Sequence, residues 1–313
     1  MRARRDACTT TMIRMSEASR APAPSYATLP RLAEPPATVY EHLVRRFPHV
    51  GADVWRTRLA AGAVTFDDGE RVSEDTAYRP LARVRYFRAV AEEPAVPFAE
   101  DVVYRDERIL VADKPHFLPV TPGGPYVNEC LTYRLRRRTG LDALQAVHRL
   151  DRDTAGLVLF AVDADVRGLY ARLFMEGRVE KEYLAVAAVP EEPERRTWEV
   201  ASRIVRGEPW FRMRIVPGPV NARTLVELVD WRDGRGLFRL VPSTGKKHQL
   251  RLHLASLGFP IVGDRYYPEL LPESPPDFGR PLRLVASALT FRDPVSGRAL
   301  RFRSRRLVTL DWP

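Results

Sequence analysis

A carboxylate flanked by arginines stands in a short polar turn near the middle of the chain. The turn reads His148-Arg149-Leu150-Asp151-Arg152-Asp153-Thr154-Ala155-Gly156 and leads into an apolar run at 157–161 that is typical of a buried strand. Catalytic groups commonly lie on loops held by such rigid elements. Asp151 is therefore the candidate catalytic acid or nucleophile, and Arg149 and Arg152 predict a low pKa, an ionised carboxylate and an anionic substrate.

A second basic motif, Thr244-Gly245-Lys246-Lys247-His248-Gln249-Leu250-Arg251-Leu252-His253, lies downstream. The apolar spacing predicts a helix that begins near an N-cap at Ser243 or Thr244 and ends at Gly258. Backbone N–H groups at such a helix start, beside Lys246 and Lys247, favour phosphate. Because Arg251 falls in the apolar part of the pattern, it needs an acidic partner, and Asp151 is the predicted one.

Tyr183 opens a strand within Lys181-Glu182-Tyr183. Two interpretations stay open: an ordinary half-buried strand aromatic, or a ring that stacks on a flipped base with its hydroxyl near the reacting sugar. Asp151, taken by itself, also has a structural interpretation beside the catalytic one, since an Asp before Thr-Ala-Gly is often only a turn residue.

Metal and cofactor chemistry find little support in the residue types. His248 and His253 stand five residues apart, which does not place them on one helix face, and His148 has no neighbouring ligand set. Thr154-Ala155-Gly156 is not the Gly-x-Ser-x-Gly elbow of a serine hydrolase. No metal site is expected.

The charge composition indicates the class of molecule that the protein binds. Lys and Arg number 50 against 40 Asp and Glu, giving a formal charge of +10 over 313 residues, which favours nucleic acid. Two cysteines are compatible with a reducing compartment, so a cytoplasmic location is expected. No apolar run is long enough to span a membrane, and a monomer is the default expectation.

The positions of the prolines and the apolar periodicity predict three segments. Residues 1–36 are predicted to be a disordered basic and Pro-rich tail, and 37–95 a small accessory module of two helices and a hairpin. Residues 98–313 predict an α+β catalytic domain with a mixed, mainly antiparallel sheet. A helix is expected over 128–138 and another over 166–174, capped by Asp163 or Asp165 and ended by Gly177.

The three motifs, in this order, resemble those of RluA-type pseudouridine synthases. Asp113-Lys114-Pro115 is similar to that family's upstream Lys-Pro segment, and 258–267 to the segment that closes its last motif. Ala155 departs from the family's usual Ser. The module at 37–95 resembles the small RNA-binding domain that many members carry, although Asp67-Asp68-Gly69 replaces the more common Val-Asn-Gly.

The resemblance implies the pseudouridine synthase fold and the isomerisation of uridine to pseudouridine, without a cofactor, in structured ribosomal or transfer RNA. It implies that Asp151, Tyr183 and Arg251 are catalytic. Substrate binding is expected from His148, Arg149, Arg152, Lys246, Lys247, His248, Gln249 and Leu252. Phosphate contacts are expected from Arg134, Arg136, Arg137, Arg138, Arg212 and Arg214.

Two other function classes remain open from the residues alone. A glycosidase or nucleoside hydrolase would use Asp151 with Asp153, although the second carboxylate is more typical of a turn. A catalytically silent RNA-binding or ribosome-assembly factor would tolerate replacement of Asp151. Retention of Asp151, Tyr183 and Arg251 together disfavours that class.

Overall fold

The computed structural model describes residues 20–90 and 92–306, apart from the side chain of His49. These residues form two compact units. The first extends to Pro94 and includes Gly124–Asn128, and the second comprises Ala95–Gly123 and the chain from Glu129 onward.

The first unit is a small helix-and-sheet module. Its elements are β1 (Ser25–Thr28), α1 (Val39–Arg46), a 3-10 helix (Pro48–Val50), α2 (Ala52–Ala60), β2 (Val64–Phe66) and β3 (Arg83–Tyr86). The strands pair antiparallel in the order β1-β3-β2. Leu43, Trp55 and Val84 are fully buried in its own core, and the Thr38 side chain caps α1 by accepting from the Glu41 N–H.

The prediction of a disordered tail through residue 36 is wrong over the described part of that range. Ser25 pairs with Tyr86 at the start of β1, and Ala27 and Leu29 are buried in the core of the first unit. Buried and exposed side chains alternate along this segment, as in a strand with one face on the core. The segment lies at the edge of the sheet, where prolines nearby are tolerated. Residues 1–19 lie outside the described residues.

The second unit is built on one large sheet. Its strands are β4 (Asp101–Arg105), β5 (Ile109–Lys114), β6 (Gln145–Ala146), β7 (Ala155–Ala161), β8 (Val179–Ala188), β9 (Thr197–Arg206), β10 (Met213–Val216), β11 (Ala222–Arg232), β12 (Arg235–Pro242), β13 (Leu284–Arg292) and β14 (Ala299–Arg303). Its helices are α3 (Leu131–Thr139), α4 (Ala164–Met175) and α5 (Gln249–Ser256).

The strand order is β10-β9-β11-β12-β8-β13-β7-β5-β4, with β14 on β13 and β6 on β7. Of these pairings only β13 with β7 is parallel. The predicted mixed, mainly antiparallel α+β architecture is therefore confirmed. No helix among the described residues is long and apolar enough to cross a membrane.

Core packing explains which elements hold the centre of the sheet. Every residue of β7 is buried, as expected for its unbroken apolar run. Tyr170 and Leu173 of α4 pack against Leu157 and Leu159 of β7. Leu250 and Leu254 of α5 pack in a separate cluster over β8, β11 and β12. The two helices thus anchor different parts of the same sheet.

The helix boundaries test the capping arguments. Asp163 caps α4 by accepting from the Asp165 N–H, and Gly177 follows its end with a positive φ of 68°, as predicted. The predicted start of α5 near Ser243 or Thr244 is wrong, because the helix begins at Gln249. His248 before it adopts φ 56°, a left-handed conformation that cannot continue a helix.

Candidate active site

Asp151 lies in the turn that precedes β7. Gly156, near the start of β7, packs closely against β13 and so positions that turn. The Thr154 N–H donates to the Asp151 carbonyl over 3.2 Å. Gly156 has φ +108°, and a Cβ there would stand 2.3 Å from the Ala286 carbonyl oxygen. Only glycine permits this approach. Ala286 also pairs with Tyr183 of β8, so the register brings the Asp151 turn beside Tyr183.

Two buried side chains, Lys114 at the end of β5 and His116 just after it, hold the same turn. The Lys114 ammonium donates to the carbonyls of Pro115, Leu118 and Arg152 over 2.9, 2.7 and 2.9 Å. Nδ1 of His116 donates to the Asp153 carbonyl over 2.7 Å. Burial lowers the pKa of Lys114 to about 7 and that of His116 to about 4. Only an ammonium donates three hydrogen bonds, so the three carbonyls favour protonated Lys114.

Arg251 is buried beside Asp151, but its principal partner is Asp264. Nε and Nη2 of Arg251 donate to the two carboxylate oxygens of Asp264 over 2.7 and 2.6 Å. The distance from Nη1 of Arg251 to Oδ2 of Asp151 is 3.8 Å. The predicted pairing with Asp151 is therefore present at the longer distance, and the bidentate pair with Asp264 is an additional, tighter contact. A fork-shaped guanidinium fits one carboxylate with two parallel bonds and leaves its third nitrogen toward the second.

The pKa of Asp151 is raised, contrary to the prediction of a low value. Burial favours the neutral form, and the charge of Arg251 opposes this effect without cancelling it. Arg152 pairs instead with Asp153 over 2.9 Å, and although burial acts to raise the pKa of Asp153, Arg152 holds it below its usual value. The Asp151 side chain keeps 26% of its surface accessible, so its carboxylate remains open to a substrate.

Aromatic side chains lie near Asp151 and against its partner Arg251. Burial and then the charge of Asp151 raise the pKa of Tyr183, so its hydroxyl stays protonated. The Arg251 guanidinium lies 4.8 Å from the centre of the Tyr266 ring and 5.4 Å from that of Tyr267. Stacked rings keep the guanidinium in a fixed plane.

His248 lies close to Asp151 without a charge of its own. Its Nε2 is 3.9 Å from Oδ2 of Asp151, and its Nδ1 is 2.9 Å from the Tyr267 hydroxyl. Burial and the charges of Arg251 and Lys247 lower the pKa of His248 to about 3, so the ring is neutral at neutral pH.

Several predicted substrate-binding residues make contacts within the protein. The His148 ring accepts from the Leu159 N–H over 3.1 Å and stacks on Phe174. The Gln249 amide accepts from Thr244 and from the Lys246 N–H and donates to Thr224 and Arg223, which shapes the turn before α5. Leu252 is buried in a small apolar cluster.

The exposed basic residues of the two motifs are placed differently. Arg149 is exposed and has no ion pair among the described residues, whereas the exposed Arg152 is paired with Asp153. Lys246 and Lys247 are exposed in the turn before α5. Arg149 and the two lysines therefore remain candidates for substrate contact.

The arginines predicted on α3 are mostly engaged within the second unit. Arg134 binds Glu129, Glu100 and two backbone carbonyls. Arg136 donates twice to the Leu144 carbonyl, and Arg138 pairs with Glu100. These contacts anchor α3, because a guanidinium can satisfy several carbonyls at once.

Sequence reasoning missed Asp264, and it gave Lys114 and His116 no role. Asp264 accepts two bonds from Arg251 and also the N–H groups of Tyr266 and Tyr267. Two features of the sequence indicate these residues: Asp264 follows Gly263, and Lys114 ends an apolar strand. A charged side chain at such a buried position needs a partner. In the described ranges, no group of three or more His, Cys, Asp or Glu could hold a metal ion.

Comparisons with known proteins agree on one family. The family model of RNA pseudouridylate synthases matches residues 108–256. The dual-specificity RNA pseudouridine synthase RluA of Haemophilus influenzae is 30% identical over 218 residues, which cover 68% of this chain and 95% of the relative. RluA of Vibrio cholerae is 34% identical over 197 residues, which cover 63% of this chain and 78% of the relative.

A solved structure shows the same fold. Human RNA pseudouridylate synthase domain containing 1 aligns with a TM-score of 0.56 and 25% identity over 69% of this chain and 86% of its own. The matched family region contains the Asp151 turn, Tyr183 and Arg251. The chain belongs to the RluA-type family of RNA pseudouridine synthases.

Proposed function

We propose that Asp151 is the catalytic carboxylate of this pseudouridine synthase and that its target uridine lies in structured ribosomal RNA, with transfer RNA as the second candidate. The observation that carries the proposal is the position of Asp151, open to solvent yet 3.8 Å from a buried arginine whose other nitrogens are held by Asp264. Such an arrangement keeps a reactive carboxylate available and oriented.

The chemistry breaks the N1–C1′ bond of uridine and forms a C5–C1′ bond, while C5 loses a proton and N1 gains one. No electrons are gained or lost. Asp151 can act by attack on the substrate or by removal of a sugar proton. Each role requires an ionised carboxylate beside the ribose, and the fixed charge of Arg251 supports that ionised form.

Base extrusion explains the need for the remaining residues. A uridine in folded RNA must leave its stack before a side chain reaches its glycosidic bond, at a cost of a few kcal/mol. We assign stacking on the extruded base to Tyr183, next to Asp151. Phosphate contacts from the exposed Arg149, Lys246 and Lys247 offset the cost and position the strand.

The relatives named dual-specificity RNA pseudouridine synthase support a search in more than one RNA class. The test is pseudouridine mapping by carbodiimide modification and primer extension. Total RNA comes from cells that lack this gene and from cells complemented with wild type or with Asp151→Asn. A site that disappears on deletion and returns only with wild type supports the proposal and names the RNA. Restoration by Asp151→Asn would contradict it.

A further inference from the structure

An exposed tryptophan lies at the tip of the hairpin between β9 and β10. The Gly207 N–H donates to the Arg212 carbonyl, and the Arg212 N–H donates to the Pro209 carbonyl, which closes the hairpin tightly. Trp210 at its tip keeps 71% of its surface accessible. A single exposed apolar side chain is ordinary, but an indole at the tip of a hydrogen-bonded hairpin is a typical contact surface for a partner.

Aromatic contacts connect Trp210 to the catalytic centre. Its ring lies edge-on to Phe211 at 6.0 Å between centroids, and Phe211 lies 5.3 Å from Tyr266. Tyr266 in turn lies against the Arg251 guanidinium. The indole therefore stands at the outer end of a row of rings that begins beside Asp151.

Positive charge follows the same row. The Lys247 ammonium donates to the Phe211 carbonyl over 2.8 Å and lies 6.0 Å from the Trp210 ring centre. Burial lowers its pKa, Asp151 acts in the opposite direction, and the charges of Arg206, Arg251 and Arg149 lower it further. These residues thus lie within electrostatic range of one another.

A depression of about 550 Å³ adjoins the hairpin and is lined by Arg206, Gly207, Glu208 and Arg214. Both arginines are exposed, and neither has an ion pair among the described residues. Glu208 contributes one opposing charge, so the lining remains net positive. Two exposed guanidinium groups are suited to a phosphate of a nucleic-acid strand.

We propose that Trp210 stacks on an unpaired nucleobase that flanks the target uridine and that Arg206 and Arg214 contact the phosphate backbone beside it. The inference rests on the proposed function, because it takes the uridine at Asp151 as the reference point. Extruding that uridine leaves its neighbours without a stacking partner, and an exposed indole supplies one.

The test measures RNA affinity with chemistry blocked. Asp151→Asn protein is titrated into a short RNA hairpin with a uridine-rich loop, and anisotropy gives Kd. Adding Trp210→Ala should weaken binding about 5- to 100-fold, since stacking on an aromatic ring contributes at this level. Trp210→Phe should retain most of the affinity. The matched control is Met175→Ala, which removes another apolar side chain that is 79% exposed.

Abasic nucleotides placed in turn at each loop position locate the stacked base. At one position the missing base should weaken RNA binding by the protein that retains Trp210. The same missing base should leave RNA binding by Trp210→Ala unchanged. Arg206→Gln with Arg214→Gln should reduce the salt slope by about 0.7 for each phosphate that the protein no longer neutralises. Equal affinity of Trp210→Ala and Met175→Ala, or abasic effects identical in both proteins, would overturn the inference. Absence of pseudouridine formation by wild type would instead contradict the proposed function.

Discussion

At the scale of single residues, the division of Arg251 between two carboxylates sets the reactivity of Asp151. Asp264 takes the short bidentate contact at 2.6 Å, and Asp151 receives a weaker one at 3.8 Å. A tight ion pair to Asp151 would have occupied the oxygens that reach the substrate in the proposed reaction. The longer contact supports ionisation and leaves those oxygens open.

Replacing Asp151 with Asn should abolish turnover and stabilise the fold. The raised folded-state pKa means that the ionised carboxyl costs folding free energy at any pH above its unfolded pKa, and a neutral amide removes that cost. A gain of about 1 kcal/mol would raise Tm by about 2–4 °C. Thermal melts at pH 7 measure the difference.

Asp153→Asn is the matched control for this substitution. Its carboxyl has a lowered pKa and pairs with Arg152, so its contribution to stability is present above the unfolded pKa and disappears in the amide. The two variants should therefore shift Tm in opposite directions. A lower Tm for Asp151→Asn would mean that its carboxylate stabilises the turn.

The acid limb of activity should reflect the raised pKa of Asp151. Because the proposed role of Asp151 needs an ionised carboxylate, kcat/KM should fall with decreasing pH at a midpoint above the ordinary Asp value of 3.8. Asp264→Asn frees Arg251 to pair with Asp151, which should lower that midpoint. Tritium release from 5-³H-uridine RNA across pH measures the limb, and an unchanged midpoint in Asp264→Asn would contradict the shared-arginine account.

At the scale of elements, Lys114 connects the end of β5 to the turn of Asp151. Lys114→Met removes the donor to three carbonyls, and each buried acceptor left without a partner costs about 1–3 kcal/mol. We expect a lower kcat at saturating RNA with a smaller change in KM, because the turn positions the carboxylate. Single-turnover kinetics with urea denaturation separates these effects. An unchanged kcat in a destabilised protein would limit Lys114 to folding.

Gly156 is the second positioning element, at the close approach of β7 and β13. Gly156→Ala places a methyl 2.3 Å from the Ala286 carbonyl at a positive φ, so β13 must move. We expect a loss of more than about 4 kcal/mol in the free energy of unfolding. Gly140→Ala is the control, since its Cβ meets nothing within 4 Å and its φ of +69° costs about 1–2 kcal/mol. Urea titrations of the two variants test the difference.

Local patterns in the sequence were sufficient for some elements and insufficient for others. The spacing of apolar residues and the caps predicted α4, and the unbroken apolar run predicted β7. The start of α5 was missed because the Gln249 side chain, and not a helical turn, satisfies the backbone at Lys246. The pairing of Arg251 with Asp151 was predicted, but its tighter partner Asp264 was missed because the loop of Asp264 meets Arg251 only after the sheet has formed.

At the scale of the whole molecule, each of the two units contributes basic surface. In the first unit, β3 turns Val84 and Tyr86 into the core and exposes Arg83 and Arg85 on the opposite face. Tyr26 on β1 is 46% exposed on that face, and the Arg83 guanidinium lies 3.8 Å from its ring centre. An aromatic ring between arginines on an exposed sheet is suited to single-stranded RNA.

This face should contribute affinity and not chemistry. Replacing both Arg83 and Arg85 with Gln should weaken RNA binding and reduce the salt slope by about 0.7 to 0.9 per phosphate released from the face, while kcat at saturating RNA stays unchanged. Arg79→Gln is the control, because its guanidinium is already held by both oxygens of Glu70. It removes one positive charge where the double variant removes two. Kd measured between low and high salt decides the point. If the double variant and Arg79→Gln give the same slope, the face does not contact RNA, and the positive charge that binds the substrate belongs to the second unit.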